Sequence, residues 1–404
     1  MKAIRCGLWA AALVVAGAIP RAGAQGPLAP PGAPAPTMKT LAQVEPRIAI
    51  TNVPYSIVQP GSYYLATNLT STGHGIVIYT NDVVVDLMGF ALVGDRTTSD
   101  YGIYVRGTNT VPIHGVVVRN GTLRNFGCGL RANGCHGGRF ERLALTDHSQ
   151  TGAWLYGTYG GCNGNVVSDC TLARNAGDGL NLYGNRGACD GNAVRDCTVV
   201  GNGDAGIRLY GYGDMAIPTR CDGNVVSGCT VFSNATVGIV LDGSYYGRCE
   251  GNVVAECVVA GNGSYGIQLQ GNASGQCQGN VVRDSSIVGN GNMGILVSGS
   301  AAGTCDGNAI VDCVVRGNVD RGIHLVVARG NRVENNHVSG QSGSGDTYGI
   351  SCVTTSSNLF LRNSGVGQTY NLIVGTDTWG PIVTNQGELA ATGKPAHPAA
   401  NFSR

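Results

Sequence analysis

Tyr104 and Arg106, Arg131 and Asn133, Trp154 and Tyr156, Asn181 and Tyr183, and Arg208 and Tyr210 are pairs of residues two apart, each set 23 to 27 residues from the next pair. Each pair fills the x positions of a short Gly-aliphatic-x-aliphatic-x stretch. On an extended strand the aliphatic residues face one way and the x residues the other. Flat aromatic faces beside hydrogen-bonding groups suit sugar rings, and a guanidinium suits a carboxylate or sulfate in a bidentate pair. Only 6% of the chain is aromatic, so five rings on one strand face single that face out. The series continues through Val240 and Asp242, Gln268 and Gln270, Leu296 and Ser298, then His324 and Val326, where small, amide and aliphatic residues prevail. Tyr159, Tyr212, Tyr245 and Tyr246 follow in the adjoining loops, of which 211–220 is the longest.

Three uses of such a face follow. In β-elimination on a uronate polymer, Arg131 and Arg208 would neutralise the carboxylate while Tyr183, Tyr210 or His148 at the groove edge takes the C5 proton. In hydrolysis, Asp178, Asp204 and Asp242 border the face, and carboxylates one or two repeats apart fall roughly 5 to 10 Å from each other, the range of paired glycosidase acids. Asp178 and Asp204 precede the strand, where Asp is common for turn reasons alone. In a binding protein without catalysis, Tyr104, Arg106, Trp154, Tyr156, Asn181 and Gln268 would simply hold a glycan. The expected partner is an acidic polysaccharide, with catalytic candidates Arg131, Tyr183, Arg208, Tyr210 and Asp242.

Lysine occurs only at Lys2, Lys39 and Lys394, so a base in the repeats must be Arg, His, Tyr or a carboxylate. His114, His136 and His148 do not share a repeat position, and no Cys-x-x-Cys or Cys/His spacing suggests zinc. No metal and no cofactor is expected. A formal net charge of +1 gives no basic face for nucleic acid.

The pairs are positioned by a repeat. Cys135, Cys162, Cys189, Cys221, Cys249, Cys277 and Cys305 open successive units of the form C-x-G-N-x-V, then a Cys-Thr-Val-like step, G-N and G-I-x-L-x-G, at steps of 27, 27, 32, 28, 28 and 28 residues. A fixed period of that length without helical patterning is a solenoid signature. Within one unit, 165–167, 170–172 and 179–182 are short β-forming runs bounded by Gly, Asn or Asp. Three short strands per turn make an all-β, parallel β-helix. Asn165, Asn192, Asn224, Asn252, Asn280 and Asn308, and again Asn175, Asn202, Asn234, Asn262, Asn290 and Asn318, then fall above one another, where stacked amides hydrogen-bond up the column.

These units resemble the right-handed parallel β-helix repeats of the pectate-lyase-like superfamily over roughly residues 55 to 385. The resemblance implies a right-handed helix and a substrate cleft on this strand face, in a group that spans lyases, polygalacturonases, epimerases and members of no assigned activity. It does not carry a mechanism. The Asp-Asp pair and the Arg-Ile-Lys run of polygalacturonases are absent, Gly73-His74-Gly75 stands without its partners, and the lysine of several pectate-type lyases is missing. The function expected from the residues is binding of an acidic polysaccharide with lyase-like cleavage by β-elimination, with a non-catalytic surface protein or a glycoside hydrolase as alternatives.

Fourteen cysteines follow Cys6. Partners eight apart, such as Cys162 and Cys170, are separated by an extended strand, too far for the usual Cα window of a disulfide. Cys277 and Cys135 lack the second cysteine, having Ser285 and Leu143 instead. Buried thiol columns are expected.

Along the chain, 1–24 reads as a secretory signal peptide with a small-residue cleavage site at Ala22-Gly23-Ala24, implying a secreted or periplasmic protein. Residues 25–37 read as a Pro/Ala-rich linker, 38–74 as an N-terminal cap with a short helix at 38–44, 75–385 as the β-helix, and 386–404 as a loosely ordered tail. No other apolar stretch reaches membrane-spanning length. Counting the strands from Gly75 to Cys352 gives about eleven coils, a stack on the order of 50 Å long.

Overall fold

The structure is a computed structural model that describes residues 45–108, 110–158, 160–213, 219–342, 348–366, 369–372, 377–380, 382–383 and 400–403. The expected signal peptide, linker and short helix, and Tyr159, lie outside these residues. The chain divides into two compact units, Met1–Pro46 and Arg47–Arg404, and the second holds the coils.

Every named strand pairing in this unit is parallel, as the repeat requires. One coil reads Val166–Ser168, Thr171–Ala173, Leu180–Asn185, and the next repeats it at Ala193–Arg195, Thr198–Val200 and Ile207–Tyr212. The third strand of each coil stacks into a 13-stranded parallel sheet, while the first two strands form a continuous 26-stranded sheet around the bend. Eleven strands of the 13-stranded face run from Ile76–Ile78 to Tyr348–Val353, and one more extends it at each end. The fold is therefore the right-handed parallel β-helix of about eleven turns that the repeat predicts. Corners between the first and second strands are made by single left-handed residues such as Asp169 (φ 54°), Asp196 (φ 52°) and Asp284 (φ 51°), where Asp and Asn are tolerated better than most side chains.

The segment read as a cap builds coils too. Tyr55–Ile57 pairs in parallel with Ile76–Ile78, Gly61–Leu65 with Val83–Asp86, and Leu69–Thr70 with Ala91–Val93. At the far end, Asn401–Ser403, read as tail, pairs with Ser364–Val366 and with Ile382–Val383. Trp379 stacks on Phe360 at a centroid distance of 3.8 Å, over the last of the core.

Both asparagine columns are buried ladders. Asn165 donates from its backbone N and its Nδ2 to Asn192 Oδ1, at 2.9 and 3.0 Å, and the same pattern recurs at Asn224, Asn252, Asn280 and Asn308. The first ladder runs on through Asn331 and Asn358, and the second ends at Gln341. The glycine opening G-I-x-L-x is dictated by the second ladder. A Cβ on Gly206 would lie 2.5 Å from Val231 Cγ1 and 2.8 Å from Asn234 Nδ2, so nothing larger fits.

All fourteen cysteines after Cys6 are free and buried, as the spacing predicted. Burial holds the thiols of Cys189, Cys249 and Cys305 well above their ordinary range. The thiols of this column are also hydrogen-bonded, as at Cys221, where Sγ donates to Leu182 O at 3.4 Å and accepts from Asn224 Nδ2 at 3.4 Å. In the second column Ser285 replaces Cys and bonds Arg283 O at 2.8 Å. Beyond Cys313 the position becomes Asn336 and Asn363, a third ladder ending on Asn401. Cys, Ser and Asn interchange there because each can pair a buried backbone group.

Candidate functional site

The third strands carry the x residues in register, so the pairs do stand in two columns. Tyr104, Arg131, Trp154, Asn181, Arg208, Val240 and Gln268 occupy one; Arg106, Asn133, Tyr156, Tyr183, Tyr210, Asp242 and Gln270 occupy the other. The inward Ile and Leu residues between them are buried in the core.

The rings form two runs joined by Arg131 into one track. His74 stacks on Tyr101 at 5.0 Å and Tyr101 meets Tyr104 edge-on at 4.9 Å. Trp154 lies 5.3 Å from Tyr156 and 6.2 Å from Tyr183; Tyr183 stacks on Tyr210 at 5.0 Å with planes 8° apart. Tyr212 continues from Tyr210 at 5.5 Å, and Tyr245 from Tyr212 at 5.1 Å. Parallel stacking at the coil spacing explains this, since identical residues on neighbouring strands are held one coil rise apart.

Arg131 sits inside the track. Its guanidinium carbon is 4.4 Å from the Trp154 ring, 4.8 Å from Tyr156 and 5.1 Å from Tyr101. It donates to Asn133 Oδ1 at 3.0 Å and to Tyr101 OH at 3.2 Å; among the described residues no carboxylate forms an ion pair with it. Asn133 in turn donates to Tyr104 OH at 3.1 Å, and Arg106 to Tyr79 OH at 3.2 Å. The half-buried cation is thus held by π faces and neutral oxygens.

Arg208 is in a different situation. It makes a bidentate pair with Asp178, at 3.0 Å from Nη2 to Oδ1 and 3.0 Å from Nε to Oδ2, and a second bond to Asp204 at 3.0 Å. Asp178 also accepts from Asn181 Nδ2 at 2.8 Å and from Ala205 N at 3.1 Å. Two of the carboxylates considered for hydrolysis and one arginine considered for elimination are therefore bound to each other.

Asp242 is buried one coil beyond Tyr210, not outward in solvent as the alternation implied. Ser244 Oγ donates to its Oδ1, and Gln270 Nε2 lies 3.4 Å from its Oδ2. Gln268 joins by donating to Gln270 Oε1 at 2.6 Å. Burial lifts the Asp242 carboxyl to about 6, against smaller downward pulls from Ser244 and Arg208. Asn181 is buried as well, and among the described residues its Oδ1 and Trp154 Nε1 have no hydrogen-bond partner. Val240, Leu296 and His324 are also buried; Val240 packs with Ala205 and Val237, and His324 is hydrogen-bonded with Ser351 Oγ at 2.7 Å.

The raised carboxyl gives a sign. A carboxyl whose folded pKa exceeds its ordinary 3.8 favours the fold in acid, and that contribution is lost as pH rises to about 6. Asp242→Asn is expected to raise stability above pH 6 by at most about 3 kcal/mol and to leave it unchanged below the ordinary carboxylate range. Urea midpoints at both pH values check this; equal gains at both would refute it.

Other placements differ from the sequence reading. His148 is not at a groove edge but fully buried, accepting from Phe126 N at 3.1 Å while Asn175 Oδ1 accepts from its backbone N. Burial lowers its pKa to about 4. It begins the second amide ladder, a register that the irregular early repeats conceal. His114 and His136 do share a column, paired in register with rings stacked at 5.2 Å. Tyr183 and Tyr210 are pushed up by burial, so their phenols stay protonated at neutral pH. Loop residues 214–218 lie outside the described residues. Tyr101 was missed; like Asp178 it stands immediately before the glycine of its strand, a position readable from the repeat.

The coils and the open aromatic face define a right-handed parallel β-helix repeat protein, as the resemblance to the pectate-lyase-like superfamily implied. Residues 65–222 match the family described as right handed beta helix region, and residues 219–385 that described as periplasmic copper-binding protein (NosD). No curated protein matches the sequence. Among solved structures, a tailspike protein of E. coli bacteriophage HK620 in complex with a hexasaccharide aligns at 9% identity and TM-score 0.57, over 89% of this chain and 72% of that one. A periplasmic alginate epimerase aligns at 12% and 0.42, over 74% and 78%. The catalytic domain of an α-1,3-glucanase in complex with nigerose aligns at 13% and 0.48, over 82% of this chain and 63% of that one, so this chain spans less than two thirds of its length. Identities this low speak to fold and not to chemistry.

The described residues of 219–385 do not fit a copper ion. Among the described residues no three His, Cys, Asp or Glu side chains converge as a metal site. The thiols of Cys221, Cys249, Cys277 and Cys305 are each occupied by an asparagine amide, and the buried His324 faces the Arg321 guanidinium at 2.9 Å. Nor is any helix among them long and apolar enough to cross a membrane.

Proposed function

We propose that this protein is a secreted or periplasmic β-helix that binds an acidic polysaccharide along the ring track from Tyr104 to Asp242. The observation that carries this is Arg131, a cation enclosed by Tyr101, Trp154 and Tyr156 without a carboxylate partner among the described residues. A uronate carboxylate or a sulfate is the complement of that guanidinium, and the adjoining rings offer faces to the sugars on either side. Arg106, exposed beside Tyr79 and Tyr104, extends the basic end. The tailspike's bound hexasaccharide and the match to a periplasmic family agree with this reading without carrying it.

Binding is better supported than elimination. Arg208 is already neutralised by Asp178 and Asp204, and the phenols that would act as bases are held protonated. Asp242 is four coils from Arg131, roughly 19 Å at the coil rise, too far to serve the same sugar. Asp242, beside Tyr210, is the acid–base candidate that remains for cleavage.

A panel of alginate, pectate, glucuronan and sulfated polymers tests the reading. Arg131→Ala is expected to weaken binding of the preferred polymer at least tenfold, since a hydrogen bond to a charged group contributes about 1.5 to 3 kcal/mol. Arg131→Lys keeps the charge and should recover part of the loss. Ultraviolet absorbance of unsaturated products and reducing-end assays decide catalysis; binding without new ends favours the non-catalytic role. If wild type binds no polymer, or Arg131→Ala binds as tightly, the proposal fails.

A further inference from the structure

The ring track does not stop at Asp242. Tyr212, the last residue of its strand, passes it to Tyr245 in the turn that follows the next coil's strand, and the next residue, Tyr246, lines a separate pocket. Tyr245 and Tyr246 both adopt left-handed backbone, at φ 51° and 62°, and the turn one coil on repeats this at Ala273 (φ 46°) and Ser274 (φ 67°). Non-glycine residues rarely take that conformation, and two in succession rotate the chain so that neighbouring side chains diverge. One ring joins the track and the next turns to the pocket.

The pocket holds about 320 Å³, at the small end for a small-molecule site and sized for one sugar ring rather than a chain. Its base is the stacked backbone of Thr219–Arg220, Gly247–Arg248 and Gln276. Thr219 is buried beneath this base, while Arg220, Tyr246, Arg248 and Gln276 are exposed around it.

Charge decides the ligand class. Arg220 is paired with Asp190, and Arg248 with Asp222 and Glu250. Both guanidiniums are matched by carboxylates, so a further anion gains nothing here. Their remaining N–H groups, with Ser274 and the exposed Gln276, offer donors and acceptors suited to hydroxyls, and Tyr246 offers an exposed ring face.

We propose that the pocket bounded by Thr219, Arg220, Tyr246, Arg248, Ser274 and Gln276 is a subsite for one uncharged pyranose, a branch leaving the glycan on the aromatic face. It rests on the glycan-binding reading above but draws on different residues and opposite charge logic.

Saturation-transfer NMR on the full chain tests it, with methyl glycosides of glucose, galactose, mannose and rhamnose as probes and galacturonate and sulfate as competitors. At least one neutral glycoside is expected to show saturation that Tyr246→Ala and Gln276→Ala each lower at least fivefold and that Trp154→Ala leaves intact. Tyr246 and Gln276 are both exposed, so neither change removes a core residue. No saturation by any neutral glycoside, displacement by galacturonate or sulfate, or equal loss in Trp154→Ala overturns the proposal. Polymer binding by wild type, measured alongside, reports separately on the aromatic face: retained polymer binding with an empty pocket rejects the subsite alone.

Discussion

Arg208→Ala is expected to unfold the middle coils at markedly lower denaturant, by about 3 to 5 kcal/mol, because it leaves a buried carboxylate without its cation. Asp178 is 6% exposed and would keep only the bonds from Asn181 and Ala205. Arg208→Lys should recover only part of the loss, as an ammonium cannot form the bidentate pair. Replacing Arg208 and Asp178 together by leucine should cost less than Arg208→Ala alone, since no charge is then stranded. Urea melts of the three variants give the comparison. A loss below about 1 kcal/mol for Arg208→Ala, the level of an exposed pair, would show that the guanidinium is free for substrate after all.

Asn224→Leu is the second large effect. Asn224 Oδ1 accepts from both the backbone N and the Nδ2 of Asn192, at 2.8 and 3.0 Å, while its own Nδ2 donates to Asn252 Oδ1 at 3.0 Å. Leucine fills the space but strands two buried donors, each costing about 1 to 3 kcal/mol, so a loss of about 2 to 6 kcal/mol is expected. In a solenoid each coil is stabilised by its neighbours, so amide exchange should accelerate at Asn192 and Asn252 before distant coils respond. Thr230→Ala, an exposed change in the same coil, is the control and should be near neutral. Equal stability of the two variants would mean that the ladder is incidental.

These two residues also mark how far the sequence could be read. Asn224 was legible: its recurrence at one repeat position, with a glycine-bounded β run on each side, implies stacking whatever the handedness or twist of the coil. The thiol columns were legible for the same reason, since cysteines eight apart on an extended chain cannot meet. Arg208 was misleading. Alternation places it outward among aromatics, which is correct, but alternation says nothing of Asp178, which reaches it from the coil before.

Whatever depends on one period can be read from the order of residues: the parallel coils, the Ile and Leu core, the amide ladders, and a face on which rings accumulate. A period fixes which residues lie above one another, because stacking is set by the backbone hydrogen-bonding distance and needs no knowledge of side-chain conformation. Which groups on that face remain available depends on how neighbouring coils pack. Arg131 and Arg208 occupy the same column in similar strands, yet one is caged by Tyr101, Trp154 and Tyr156 and the other is paired to Asp178 and Asp204. Likewise His148, Asn181 and Asp242 are buried although the alternation or loop position suggested exposure. Burial and pairing depend on the lateral reach of side chains from adjoining coils, a distance of a few ångströms across the sheet that no spacing along the chain encodes.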